Sequence, residues 1–340
     1  MNTILSIDGG GIKGIIPGMV LVEMERRLKE RTGNPEAYIA EYFDFFAGTS
    51  TGGILTCLLL CPSTSDPKKP RFSAKEALDL YIDNGTKIFS SKGIKRFFAN
   101  IGWTTEKYDA KILEKILLDY FDDVKLSQLI KPCIITAYNI ELRKAHFFRQ
   151  KVAQNRGDSR DFFVRDVCRA TSAAPTYFSV AEIHSLAGVR YPLLDGGIFA
   201  TNPSLSAFVE IKKDPEELIP KDVYILSLGT GASKKAYDSD EIKDTKALFV
   251  VPALLDMMMS GATETSHFYM KKIFSFLGIA DHYLRLEPAN LQSVEENLDA
   301  ASPKNISKLI ALADRMISQQ SRVIDLVIDN LIKLKTEEPH

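Results

Sequence analysis

The four cysteines of this sequence, at 57, 61, 133 and 168, form no Cys-x-x-Cys pair, and no histidine or cysteine cluster stands beside them. A structural zinc site and a dithiol motif are therefore not expected, and the four read as reduced core residues. Excess charge of one sign is also missing. Lysines and arginines number 43 against 44 aspartates and glutamates, so bulk electrostatics offers no hold to a nucleic-acid polymer. Long apolar runs are absent. The longest, 54–61 and 247–255, fall far short of a bilayer span, and any membrane contact is expected to be peripheral. The chain opens Met1-Asn2-Thr3 and enters a strand-like run without the basic and then apolar stretch of a secretory signal, which reads as cytoplasmic. No internal repeat or low-complexity segment occurs.

What is present is enough for a large core: 340 residues, 45% of them hydrophobic. Residues 3–7 form a β-rich run that stops at Asp8-Gly9-Gly10-Gly11, and 17–31 then show helical spacing. Strand, glycine loop and helix recur at once: apolar 43–47, then Gly48-Thr49-Ser50-Thr51-Gly52-Gly53, then 54–61. Further strands are expected at 133–138 and 223–228, with shorter ones at Phe147 and 191–194. Helices are expected at 73–89, 110–121, 163–171 and 203–212, and one or two close the chain from Ser302. This alternation predicts an α/β fold with a mainly parallel sheet covered on both faces. The reading is one domain over 1–335, with the motifs inside 1–230, a mainly helical part of the same domain at 240–335 and a tail at 336–340.

Gly48-Thr49-Ser50-Thr51-Gly52 fits the nucleophile-elbow pattern G-x-S-x-G between a strand and a helix, where a tight turn lifts a serine hydroxyl to a helix N-terminus. The plainer alternative is a Ser/Thr/Gly loop that caps a helix. Asp8-Gly9-Gly10-Gly11-Ile12-Lys13-Gly14 also joins strand to helix, and its consecutive glycines can turn several N–H groups into one concavity suited to an oxyanion. Gly9-x-Gly11-x-x-Gly14 also has the form of the dinucleotide fingerprint, but the acidic residue that pattern requires about 20 residues on is replaced by a charged helix surface. A serine nucleophile needs a base. The five histidines, at 146, 184, 267, 282 and 340, lack the glycine-flanked strand end that presents a catalytic group. Asp195 has it, closing Tyr191-Pro192-Leu193-Leu194 and preceding Gly196-Gly197. Asp8 is the competing carboxylate, though its fusion to the glycine loop suits a structural role.

In this arrangement the sequence resembles the patatin-like phospholipase family. The resemblance rests on Asp-Gly-Gly-Gly-Ile-Lys-Gly at 8–14, Gly-Thr-Ser-Thr-Gly at 48–52, the segment Thr171-Ser172-Ala173-Ala174-Pro175-Thr176-Tyr177-Phe178, and Asp-Gly-Gly at 195–197, in the family's order. It implies a three-layer α/β/α fold and a Ser50–Asp195 dyad without histidine, metal or cofactor. The oxyanion would lie at Gly9, Gly10, Gly11 and Thr51, with Asp8, Lys13, Gly14, Gly48, Gly52, Gly196 and Gly197 as supporting motif positions. Lys13 stands where many members carry arginine, so a cation remains without the guanidinium fork. The implied activity is lipid acyl hydrolysis of the phospholipase A type. It is either constant, as in plant patatins, or switched on by a cyclic dinucleotide, as in bacterial effectors that degrade the host membrane during phage infection. A non-catalytic nucleotide-binding module is the third reading. The expected partners are a phospholipid or membrane surface and a cyclic-dinucleotide activator, and a homo-oligomer is left open. Residues 92–103, rich in lysine, phenylalanine and the single tryptophan, read as a packed helix with a basic edge or a membrane-contacting segment. Leu254-Leu255-Asp256-Met257-Met258-Met259 reads as core in preference to a lid or subunit contact.

Overall fold

The computed structural model describes residues 2–89, 107–211, 222–231 and 247–337. The 92–103 stretch and His340 lie outside them. Eight strands form one sheet in the order β5 (Ala181–His184), β6 (Arg190–Asp195), β3 (Cys133–Asn139), β2 (Phe45–Thr49), β1 (Asn2–Ile7), β7 (Val223–Leu228) and β8 (Tyr283–Leu286), while β4 (Lys144–Arg149) pairs with β3 off this path. From β3 through β8 every pairing is parallel. At the other margin β4 and β6 run antiparallel to β3, and β5 antiparallel to β6. The sheet is thus mainly parallel with an antiparallel edge. The central strands are buried on both faces, which explains their continuous apolar runs. The edge strand β5 instead alternates buried and exposed residues.

Successive residues of the central strands enter different cores, as the two-residue strand period requires. Leu5, Phe46 and Leu226 pack on one side with α1 (Ile15–Thr32), α2 (Thr51–Leu60), α3 (Ala74–Ile88) and, further along the chain, Pro303–Gln319. Ile4, Phe45 and Ile225 pack on the other with Phe208, Met270 and Phe274. Along the chain the remaining helices are α4 (Ala110–Phe121), α5 (Gln150–Arg156), α6 (Val164–Thr171), α7 (Gly197–Ala200), α8 (Ser204–Glu210), α9 (Ala247–Phe276), α10 (Pro303–Gln319) and α11 (Ser321–Glu337). Helix, sheet and helix make the three layers.

Beyond the unforeseen β5 and α5, two departures from expectation bear on the site. Strand β8 carries Arg285 at its third position, which breaks the apolar run that would have marked it. Residues 247–276 form one helix, and within the 254–259 stretch only Leu255 and Met259 are buried hydrophobics, whereas Leu254, Met257 and Met258 are exposed. The expectation of core for the whole stretch is corrected: a helix turns successive residues to different sides, and only one side faces the protein.

Candidate active site

Register brings the loops together. Ile7 pairs with Gly48 on one side and Leu228 on the other, so β1, β2 and β7 end at one level and release Asp8, Ser50 and Gly229 at the carboxyl edge of the sheet. Ser50 sits at φ 54°, ψ −122°, a left-handed conformation costly for a residue with a side chain, as the elbow turn demands. Two neighbours hold it there. The Ser50 N–H donates to Thr171 Oγ1 at 2.8 Å, and the Thr171 hydroxyl donates to the Thr136 carbonyl at 2.7 Å. Gly52 lies so close to the backbone of Ile7 and Asp8 that a methyl group there would collide with both carbonyls. Gly48 packs on the same turn, and Gly14 faces the Thr51 side chain.

The structure places Asp195 at the end of β6 with its Oδ2 accepting the Ser50 hydroxyl at 2.6 Å. Its Oδ1 accepts the Gly197 N–H at 2.7 Å, the preceding Gly196 being seated against Thr136. Asp195 is 2% exposed. Burial pushes its carboxyl up to about 7, opposed by the bonds from Ser50 and Gly197. No described lysine or arginine forms an ion pair with it.

The glycine loop divides the expected oxyanion donors. The Gly9 N–H donates to the Thr201 carbonyl at 3.0 Å, so Gly9 is already engaged and leaves the oxyanion set. This corrects the expectation for that residue. Among the described residues the N–H groups of Gly10, Gly11 and Thr51 donate to no protein acceptor. Gly11, at φ 60°, turns the chain against the backbone of Leu298, whose carbonyl accepts the Ile12 N–H at 2.8 Å.

Asp8 has a partner that sequence reasoning missed. Arg285, 5% exposed at its side chain, donates to Asp8 Oδ2 at 2.6 Å, Ser227 Oγ at 2.8 Å and Glu287 Oε2 at 2.8 Å. Burial raises the Asp8 carboxyl to about 6, with Arg285 pulling it down. The guanidinium thereby ties β8 and β7 to the start of the glycine loop, and Thr230 Oγ1 adds a bond to the Gly9 carbonyl at 2.9 Å.

Two recesses flank the loop. One is apolar, with Ile54, Leu80, Ile88, Phe89, Leu113 and Phe178 around Ser50 and Thr51. The other is polar, with Lys13, Asp256, Glu264, Arg285 and Glu287 beside Gly9 and Gly10. Lys13 is buried, and burial lowers its pKa against the pull of Asp256 and Glu296. The described histidines sit elsewhere. His146 packs against Phe148 and Tyr191 with its pKa lowered by burial to about 4, and His267 Nδ1 lies 3.1 Å from Tyr283 Oη. No hydrogen bond joins a described histidine to Ser50 or Asp195. The described residues contain no cluster of acids, histidines or cysteines able to hold a metal, and all four cysteines are free and buried.

Residues 5–208 match the family model described as patatin-like phospholipase. The chain is 31% identical over 346 residues to "Patatin-like protein 1" of Oryza sativa subsp. indica, covering 94% of this chain and 82% of that protein. It is 30% identical over 351 residues to "Patatin-like protein 2" of Arabidopsis thaliana, covering 95% and 84%. It is also 31% identical over 340 residues, covering 94% and 87%, to a Solanum tuberosum protein named "Probable inactive patatin-3-Kuras 1", so likeness of this degree spans relatives named as inactive. By the family match and by these relatives, the chain belongs to the patatin-like phospholipase family.

Proposed function

We propose that this protein hydrolyses the carboxylic ester bonds of membrane phospholipids, a phospholipase A-type reaction, with Ser50 as nucleophile and Asp195 as its base. The observation that carries the reading is the 2.6 Å bond from the strained Ser50 hydroxyl to a buried carboxylate. Asp195 is a better base than an ordinary aspartate because burial brings its pKa close to neutrality. Ser50 Oγ attacks the ester carbonyl carbon as its proton passes to Asp195 Oδ2. The carbonyl oxygen becomes an oxyanion that the N–H groups of Gly10, Gly11 and Thr51 can hold, helped by the N-terminus of α2. Collapse breaks the bond to the alcohol oxygen, which takes the proton from Asp195. A water molecule then attacks the acyl-serine, giving a proton to Asp195, and Ser50 recovers it as the fatty acid leaves.

The apolar recess beside Ser50 suits the acyl chain of such a substrate. No described helix is long and apolar enough to cross a membrane. The test is fatty-acid release from phospholipid vesicles by the wild type, Ser50→Ala and Asp195→Asn. Release by the wild type alone supports the assignment, and equal release by Asp195→Asn overturns it. Adding cyclic dinucleotides to the same assay reads the ligand-switched alternative: a rate that rises with one of them favours an activated effector, and an unchanged rate favours constant activity.

A further inference from the structure

Helix α9 has two faces with different surroundings. Its inner side buries Leu255, Met259, Met270 and Phe274, and Asp256 and Glu264 line the polar recess beside the glycine loop. Its outer side exposes Leu254 (49%), Met258 (53%), Phe268 (56%), Tyr269 (49%) and Phe276 (84%). At about 3.6 residues per turn these positions fall on one face of the helix. Single exposed apolar residues are ordinary on a protein surface, but a stripe of them along one helix marks a surface that meets something apolar.

The charges on this face indicate what it meets. Lys272 lies on this face with its ammonium 5.9 Å from the centroid of the Phe268 ring, and Lys271 is exposed on the adjoining flank of the helix. Lysines interleaved with aromatic side chains suit the boundary of a bilayer, where rings enter the acyl region and ammonium groups reach lipid phosphates. A second copy of the helix is a poorer match, since neither of the helix's acids, Asp256 and Glu264, falls on this face to pair with Lys272.

We propose that the outer face of α9 is the surface on which the protein lies against an anionic phospholipid bilayer. This rests on the lipid-hydrolase reading for its purpose, because the opposite face of the same helix borders the glycine loop. Docking through α9 would hold the protein at the lipid surface.

The experiment is co-sedimentation with phosphatidylglycerol/phosphatidylcholine vesicles, run beside turnover of a water-soluble short-chain ester and sedimentation velocity. Two variants are compared with the wild type: Phe268→Ser with Phe276→Ser, and Lys271→Glu with Lys272→Glu. The expected result is a loss of vesicle affinity of about tenfold or more in both, with soluble-ester turnover within about twofold of wild type. The lysine pair, wholly on the surface, keeps the test valid if the phenylalanine variant does not fold. The proposal is overturned if the wild type does not bind the vesicles, if both variants bind as it does, or if the phenylalanine variant merely converts a dimer to a monomer with vesicle binding intact. Failure of the hydrolase reading shows separately, as wild type and Ser50→Ala turning over the soluble ester alike while sedimentation still reports docking.

Discussion

Asp8 and Asp195 look alike in sequence: one directly follows a strand and the other closes one, each precedes two glycines, and both are buried in the structure at 1% and 2% exposure. They differ in their neighbours. Asp8 has a buried guanidinium at 2.6 Å, whereas Asp195 has only the hydroxyl of Ser50 and one backbone N–H. Burial raises both carboxyls, but a paired cation holds Asp8 nearer its ordinary range, at about 6 against about 7. A cation fixes a carboxylate as a standing anion that anchors a loop. Without one, the carboxylate is free to take a proton and return it. The same sequence pattern thus yields a fastener in one place and a candidate base in the other.

The strongest way to break this comparison is to neutralise each carboxylate. Asp195→Asn is expected to lower kcat/KM by about a thousandfold or more, since the proposed general base is lost while the hydrogen-bonding shape is kept. Its melting temperature should not fall. Asp195 has a folded pKa above its unfolded value, so stability associated with its protonated form is present below about 4 and lost as pH rises through about 7. The variant escapes that loss, and its melting temperature relative to wild type should therefore climb between pH 4 and 7. Asp8→Asn should instead lower the melting temperature near neutral pH, costing on the order of 3 kcal/mol because Arg285 is left buried without its closest anion. Denaturant melts and ester kinetics on the two variants check both halves. Equal behaviour would dissolve the distinction.

Titration sharpens it. If the ionised Asp195 accepts the Ser50 proton, kcat/KM should rise with pH to a plateau with its midpoint near 7, falling roughly a hundredfold from plateau by pH 5. A midpoint near 4 would mean an ordinary solvated aspartate and another base. Arg285→Met provides the matching test on Asp8. Removing the cation lets the Asp8 carboxyl rise above about 6, so the variant's deficit in stability should be larger at pH 8 than at pH 5. Activity should drop by about tenfold as the loop loses its tie. A deficit independent of pH would show that Arg285 acts by packing alone.

Much of this was legible in the sequence because the backbone demands are local. A serine held at φ 54° between close-packed chains requires its glycines within two residues, and Gly48 and Gly52 stand where the motif predicts. The parallel centre of the sheet was legible for a similar reason, since burial on both faces writes an unbroken apolar run. Arg285 was not, because it lies 277 residues from Asp8 and its strand is short and interrupted by its own charge. The engagement of Gly9 was hidden more completely: its acceptor is the backbone carbonyl of Thr201, and a carbonyl is present at every residue. The outer face of α9 was hidden by the run 254–259, whose apolar character gave no sign of which side turned outward.

The smallest expected effect tests whether the positioning of Ser50 is separable from its activation by Asp195. Thr171 contacts neither the carboxylate nor the apolar recess, yet its hydroxyl accepts the Ser50 N–H at 2.8 Å and donates to the Thr136 carbonyl at 2.7 Å. Thr171→Val keeps the shape and removes both bonds, leaving a buried N–H and a buried carbonyl without that partner. The expected cost is about 1–2 kcal/mol of stability, and a kcat lower by about threefold to tenfold through a less well-fixed elbow. Thr171→Ser restores the hydroxyl and should recover most of the rate. Because Asp195 is untouched, the pH midpoint near 7 should persist in both variants, and a midpoint that moved with Thr171→Val would mean that the elbow and the base titrate as one unit.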